Sequence, residues 1–396
     1  MNKLFRISNI IIFCAFLIFI QCTVDDKSTQ ASISTENKDE IIQLSNFLSQ
    51  TLNTNLVNVT FNSKTKNFII DGDIHVSLKN AKEHYEKSNF KLTNKTAQRN
   101  FNFLMSAINS SSIQLYMGPD VPSNWQIAIN QSIINWNNIN SNISITLISS
   151  PTPTSINVGI YYDPTTSTIA YADIPNANGN CGKYIQINTN FNYLTAAQKV
   201  FTITHEMGHN FGLAHTNVEQ FNLIPCTPVS DPAGSIMNSI VGTWNYFSPY
   251  DNIAVSTLYP IGLGTKKLYR YQKISSSSSL YTTDPCEKGG GDNEYRFNLD
   301  ACYLYATSIS GTVPLYRSYK SNIDDFIYYT STTPSSNRIE GYLYPTQQPG
   351  TTPLYCFETM DARLWRMYKQ LAYHQYLSTT NQEVGNKKII GYVVTK

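Results

Sequence analysis

The sequence predicts a mixed α+β protein: a twisted mixed sheet with one long metal-binding helix, followed by an all-β repeat module. Three observations carry this reading. Between Ser112 and Tyr259, alternating apolar runs are interleaved with two stretches of helical periodicity. Within that region, His205-Glu-Met-Gly-His209-Asn-Phe-Gly212-Leu-Ala-His215 sets three histidines and a glutamate at the spacing of a metal centre. From Leu268 onward the composition shifts, and 17 of the 27 tyrosines fall between Tyr269 and Tyr392.

The chain begins with Lys3 and Arg6 ahead of an uncharged apolar run from Ile10 to Ile20, the order of a signal peptide over residues 1–22. That run is far shorter than the roughly 20 residues needed to span a bilayer, so an exported protein is expected. Cys22 and the polar stretch after it resemble a bacterial lipoprotein signal, although Gln21 stands where a small side chain is usual. Free secretion and a lipid anchor at Cys22 both stay open, and a lipid would be the only membrane contact. The net charge is +2, and charged residues make up 14% of the chain against about 25% in a typical soluble protein. No basic patch points to nucleic acid.

Residues 23–111 read as a polar tether and a prosegment. Helical spacing at Ile41, Ile42, Leu44, Phe47, Leu48 and Leu52 is followed by strand, turn and strand at residues 67–76. The catalytic region, 112–263, opens with a strand at Ile113–Tyr116 and a long helix from Asn124 to Ile139. Strands follow near residues 143–147, 156–160, 169–172 and 184–187. Thr195 and Gln198 then form the two ends of a capping box, and Val200, Ile203, Met207 and Phe211 supply the apolar stripe of the next helix.

Two histidines four apart on that helix project from one face and can reach a single ion. Glu206, beside the first, is placed to act as general base. Gly212 lets the chain leave the helix through a left-handed turn, so that His215 returns as third ligand. Three protein ligands leave a fourth position open, as a hydrolytic zinc requires and a structural zinc does not. One Zn(2+) per chain is expected; Ca(2+) is not indicated.

With its third histidine and Gly212, this string resembles the metzincin zinc peptidases. Ser235-Ile-Met237-Asn238 resembles their methionine turn, which implies that Met237 lies beneath the imidazoles without ligating. Thr216 and the helix opening at Ser248-Pro-Tyr-Asp251 are similar to matrixin-like members, and among metzincins the sequence most resembles the bacterial M57 peptidases, the dual-action HEIGH family. Met207 departs from that name without touching the ligands. The resemblance implies a zinc-dependent endopeptidase acting on protein or peptide substrates, with Glu206 as base. It also implies that Ile169–Asp173 is an open sheet edge that captures extended substrate as an added strand. Ile70-Asp71-Gly72-Asp73-Ile74 is similar to the Gly-Asp motif of astacin prosegments, which implies Asp73 as a latency ligand in the open zinc position. An ordinary Asp-Gly hairpin turn accounts for the same residues and is preferred from the sequence.

Of seven cysteines, Cys14 leaves with the signal peptide. Cys181 with Cys226 flank the metal helix, Cys286 with Cys302 bracket a Gly-rich loop, and each pair is a candidate disulfide. Cys356 is left as a buried thiol. In residues 264–396, Leu268-Tyr-Arg270, Pro314-Leu-Tyr-Arg317 and Pro353-Leu-Tyr355 head three repeats, arguing for a β-trefoil-like module. Its tyrosines are read mainly as core; the remainder would be platforms for a glycan or cell-surface ligand. The competing reading of the whole chain is therefore a cell-surface or carbohydrate-binding protein with a vestigial zinc domain.

Overall fold

The computed structural model describes residues 38–396 except 53, 89–98, 218–221, 229–233, 277, 332–337, 366–367 and 382–385. The signal peptide, Cys22 and residues 23–37 of the tether lie outside the described residues.

The amino-terminal unit folds around its own core. Helix α1 (Lys38–Thr51) packs over a meander of β1 (Val59–Asn62), β2 (Asn67–Ile70) and β3 (Ile74–Ser77), with α2 (Leu78–Lys87) following directly from Ser77 as its cap. Leu44, Phe47, Leu48, Phe68, Ile70 and Val76 are buried together and meet the rest of the chain at Phe101, Ile174 and Ala214. A short pair, β4 (Arg99–Asn100) with the later β10 (Asn222–Leu223), and the one-turn α3 (Ala107–Ser110) lead into the catalytic region.

There, β5 (Ile113–Met117), α4 (Ser123–Asn138), β6 (Ile145–Ile148), β7 (Ile156–Tyr161), β8 (Ala170–Ala172) and β9 (Tyr184–Asn188) precede the metal helix α5 (Ala196–Asn210). Trp125 and Trp136 on α4 are fully buried against α5, and the Trp136 indole donates to the Thr204 carbonyl at 3.1 Å. The capping box at Thr195 and Gln198 forms, fixing where α5 begins. Because α4 and the sheet grip α5 along its apolar stripe, its ligand face is held in register with the cleft.

The strand expected to be an open edge is covered. The sheet runs β1-β2-β3-β8-β9-β7-β5-β6, with β3 parallel to β8 through Ile74 and Ala172. The Ala172 amide donates to the Asp73 carbonyl at 2.9 Å. The amino-terminal unit thus occupies the place assigned from sequence to substrate, because an unpaired row of amides is satisfied by the nearest available strand.

Helix α6 (Pro249–Leu258) closes the catalytic region and carries the repeat module. Ile253 is buried with Tyr269, Tyr271, Leu280 and Tyr295, and the Tyr303 hydroxyl donates to the Asn140 carbonyl at 2.7 Å. Among the described residues the module has nine strands in three like units. They are β11 (Thr265–Lys273), β12 (Ser279–Thr282) and β13 (Tyr295–Tyr305); β14 (Val313–Lys320), β15 (Asp325–Tyr329) and β16 (Arg338–Leu343); and β17 (Thr351–Trp365), β18 (Tyr368–Ser378) and β19 (Asn386–Val394). In each unit the first strand pairs with both others, and its register breaks at the same point, after Leu268, Leu315 and Leu354. The third strands meet one another at Tyr305–Tyr342, Tyr303–Val394 and Tyr344–Tyr392. An all-β threefold module is therefore what the repeats build, at three strands per repeat. Tyr269, Tyr271, Tyr281, Tyr295, Tyr303 and Tyr328 are core residues.

Both expected disulfides are corrected. Cys226 pairs with Cys286, while Cys181 and Cys302 are free and buried, as is Cys356. Cys181 lies in the catalytic core and Cys302 faces the interior of the repeat module, so neither reaches its proposed partner. Docking of the module on α6 instead brings two loops from different regions together. The bridge spans 60 residues, for which the loss of chain entropy on closure corresponds to about 4 kcal/mol. Cys226→Ser with Cys286→Ser should lower the thermal midpoint by several degrees under oxidising conditions and remove its sensitivity to reductant. An unchanged midpoint would show that the bridge contributes nothing to stability.

Candidate metal centre

His205 and His209 leave α5 one turn apart, and Gly212, at φ +95°, turns the chain back to bring in His215. A side chain at Gly212 would also meet the Phe103 carbonyl, its Cβ falling 2.7 Å away. The outer nitrogens of the helix pair are fixed by backbone: His205 Nδ1–H donates to Ile236 O at 2.7 Å and His209 Nδ1–H to Leu213 O at 2.9 Å. This turns Nε2 of each inward. Nε2 of His215 lies 3.1 Å from that of His209 and 3.3 Å from that of His205. Nitrogens about 2.0–2.1 Å from a tetrahedral zinc stand roughly 3.3 Å apart, so the spacing fits that ion.

A fourth donor is already present. Asp73 Oδ2 lies 3.2 Å from His215 Nε2 and 3.8 Å from His205 Nε2, and all four donor atoms lie within 4.8 Å of one another. The turn preferred from sequence and the ligand implied by resemblance are one structure: Asp71 and Gly72 adopt φ of +52° and +100°, and the turn they make delivers Asp73. Burial alone would raise the Asp73 carboxyl, but the imidazoles, His215 foremost, hold it well below the usual carboxylate range.

Glu206 is 3% exposed and is not among the converging donors. Its Oε2 is buried without a hydrogen-bond partner and lies in a cavity of about 260 Å³ shared with Asp73, Thr168, Ala170 and Asn238. Burial, and then the charge of Asp73, push its carboxyl well above the ordinary range. For a buried carboxylate to stay ionised there, a cation must replace what water no longer supplies. The converging nitrogens and the Asp73 carboxylate form a group that could hold a metal ion, with the orphaned oxygen of Glu206 outside it.

Met237 is buried against α5. A Cβ added at Gly208, between the two helix histidines, would fall 2.3 Å from its sulfur, so glycine at this position is what lets the methionine approach. One residue named in sequence only as part of a helix opening has a further role. Asp251, buried on α6, accepts from Ser235 Oγ at 2.7 Å, Ile236 N at 3.1 Å and Ser248 N at 2.8 Å. It therefore holds the methionine turn and, through Ile236 O, the orientation of His205. The signal was present as Ser248 and Asp251 three apart, a capping box whose acid also serves the turn. Asn210, next after the second ligand, ties α5 to the cleft strand by donating to Asp173 O at 2.7 Å.

Residues 68–222, which contain all four donors and Glu206, match the family described as the dual-action HEIGH metallo-peptidases. A domain of unknown function matches twice, over residues 237–344, which start ahead of the repeat module, and over residues 267–393 within it. No curated protein matches the chain. Among solved structures, two of myroilysin are similar over part of it. One is 15% identical, covers 38% of this chain and 84% of that one, with a TM-score of 0.28. The other is 16% identical, covers 39% and 82%, with a TM-score of 0.29.

Proposed function

From a HEIGH-type metallo-peptidase region over residues 68–222, we propose that the chain is an exported zinc endopeptidase made latent by its own amino-terminal unit. The single observation that carries this is the convergence of Asp73, His205, His209 and His215 with an unpartnered glutamate beside them. His205, His209 and His215 would hold the ion. When bound, zinc acidifies water and polarises a carbonyl. Glu206 takes the proton of the attacking water at Oε2 and returns it to the leaving amine. The side-chain pocket is the wall from Ile240 to Phe247 with Phe201, enclosing about 630 Å³. Its aromatic and aliphatic lining favours an apolar residue beside the cut bond.

Asp73 supports latency because it occupies the position that water needs. The covered edge supports it too. Thr168 Oγ1 donates to Gly72 O at 3.2 Å and Ala172 N to Asp73 O, so the prosegment uses main-chain positions that an extended substrate would take. The apolar run at Ile10–Ile20 and Cys22 support export, by free secretion or with a lipid anchor. A vestigial metal domain beneath a glycan-binding module finds no favouring observation, since ligands and base are all present.

His205→Ala should abolish stoichiometric zinc binding, measured by elemental analysis of the purified full chain, whereas wild type should carry one zinc per molecule. A wild-type protein that binds none, or a variant that keeps its zinc, would refute this assignment.

A further inference from the structure

The third histidine differs from the other two at its outer nitrogen. A ligating imidazole ordinarily donates its second N–H to a carbonyl, a carboxylate or water, which fixes its tautomer and orientation. His205 and His209 do so within the catalytic region. Nδ1 of His215 is buried and has no hydrogen-bond partner among the described residues.

A carboxylate with the complementary deficit lines the same cavity from the amino-terminal unit. Oδ2 of Asp71 is also buried and without a partner, while Oδ1 accepts from Thr54 Oγ1 at 3.3 Å. Asp71 and His215 line the same cavity, with Asn58 and Ser239. Both orphaned atoms are shut off from solvent, and pairing them would satisfy each at once.

We propose that Asp71 Oδ2 accepts the Nδ1–H of His215 in the metal-loaded latent chain, so that the amino-terminal unit secures the ion as well as covering it. One turn then does two things: Asp73 contacts the metal, and Asp71 positions the third histidine from behind. Asp71 is a positioning residue that leaves with the prosegment, so the processed enzyme holds its zinc less tightly than the latent form. This inference rests on the zinc reading above.

The test is the rate at which the full chain surrenders zinc to excess chelator, followed with a zinc-responsive dye. Asp71→Gly removes the carboxylate yet tolerates the left-handed φ of +52°. Thr54→Val instead removes the hydroxyl that steadies the turn and leaves the carboxylate in place. Zinc loss should accelerate about 10- to 100-fold in Asp71→Gly, in line with the effect of removing an outer partner of a metal ligand, and stay near wild type in Thr54→Val. Asp71→Asn, which keeps an acceptor oxygen but no charge, should fall between. A second readout is the His215 Nδ1–H proton resonance in zinc-loaded protein, which should be protected from exchange in wild type and lost in Asp71→Gly. Equal rates in wild type and Asp71→Gly overturn the proposal. Equal acceleration in Asp71→Gly and Thr54→Val overturns it as well, since turn loosening would then be the cause. If wild type holds no stoichiometric zinc, it is the zinc assignment that fails.

Discussion

Glu206→Gln, introduced into a chain already relieved of latency by Asp73→Ala, will keep its zinc and lose roughly 10²- to 10⁴-fold in peptide hydrolysis. The metal stays because Glu206 is outside the converging donor set and the three imidazoles are untouched. Activity falls because the amide can occupy the same space without taking a proton. The background matters for a physical reason. Asp73 and Glu206 are two buried carboxylates in one cavity, and the charge of the first raises the pKa of the second. Removing Asp73 lowers the Glu206 pKa and frees it as a base, so the intact glutamate and its glutamine variant diverge most in that background. The measurement is kcat/KM on a short fluorogenic peptide beside zinc content. Equal turnover in the two would take the base away from Glu206.

The metal helix was legible in the sequence because its determinants are local. The capping box at Thr195 and Gln198, the apolar stripe and the four-residue step from His205 to His209 all act within a few turns of one another. The threefold module was legible for a related reason, since Leu268, Leu315 and Leu354 recur in matching contexts and break register alike. What failed depended on contacts between distant segments. Cys226 and Cys286 are joined only because α6 seats the repeat module, and no local spacing encodes that docking. The edge at β8 was expected, by resemblance, to be open, and the partner that covers it, Ile74, lies far away in sequence. Asp251 was recognised at the start of a helix, while its bonds to Ser235 and Ile236 become visible only once the methionine turn is folded against it. At Asp73 the two alternatives were treated as exclusive, although a left-handed turn at Asp71 and Gly72 is what brings Asp73 to the three histidines.

The second large effect concerns latency. Asp73→Ala deletes the carboxylate that faces His215 at 3.2 Å and keeps the backbone bond from Ala172 N, so the unit stays docked while the fourth position opens. Its separate core of Leu48, Phe68, Ile70 and Val76 lies away from the substituted side chain, and folding should be preserved. The decisive measurement compares hydrolysis of a short peptide by full-length wild type and full-length Asp73→Ala, both intact by mass and matched in thermal midpoint. Activity should rise by at least about tenfold in the variant, the change that 1.4 kcal/mol of lost metal contact produces, and vanish again with chelator. Equal activity in two folded, zinc-loaded proteins would contradict an aspartate lock and return Asp73 to an ordinary turn.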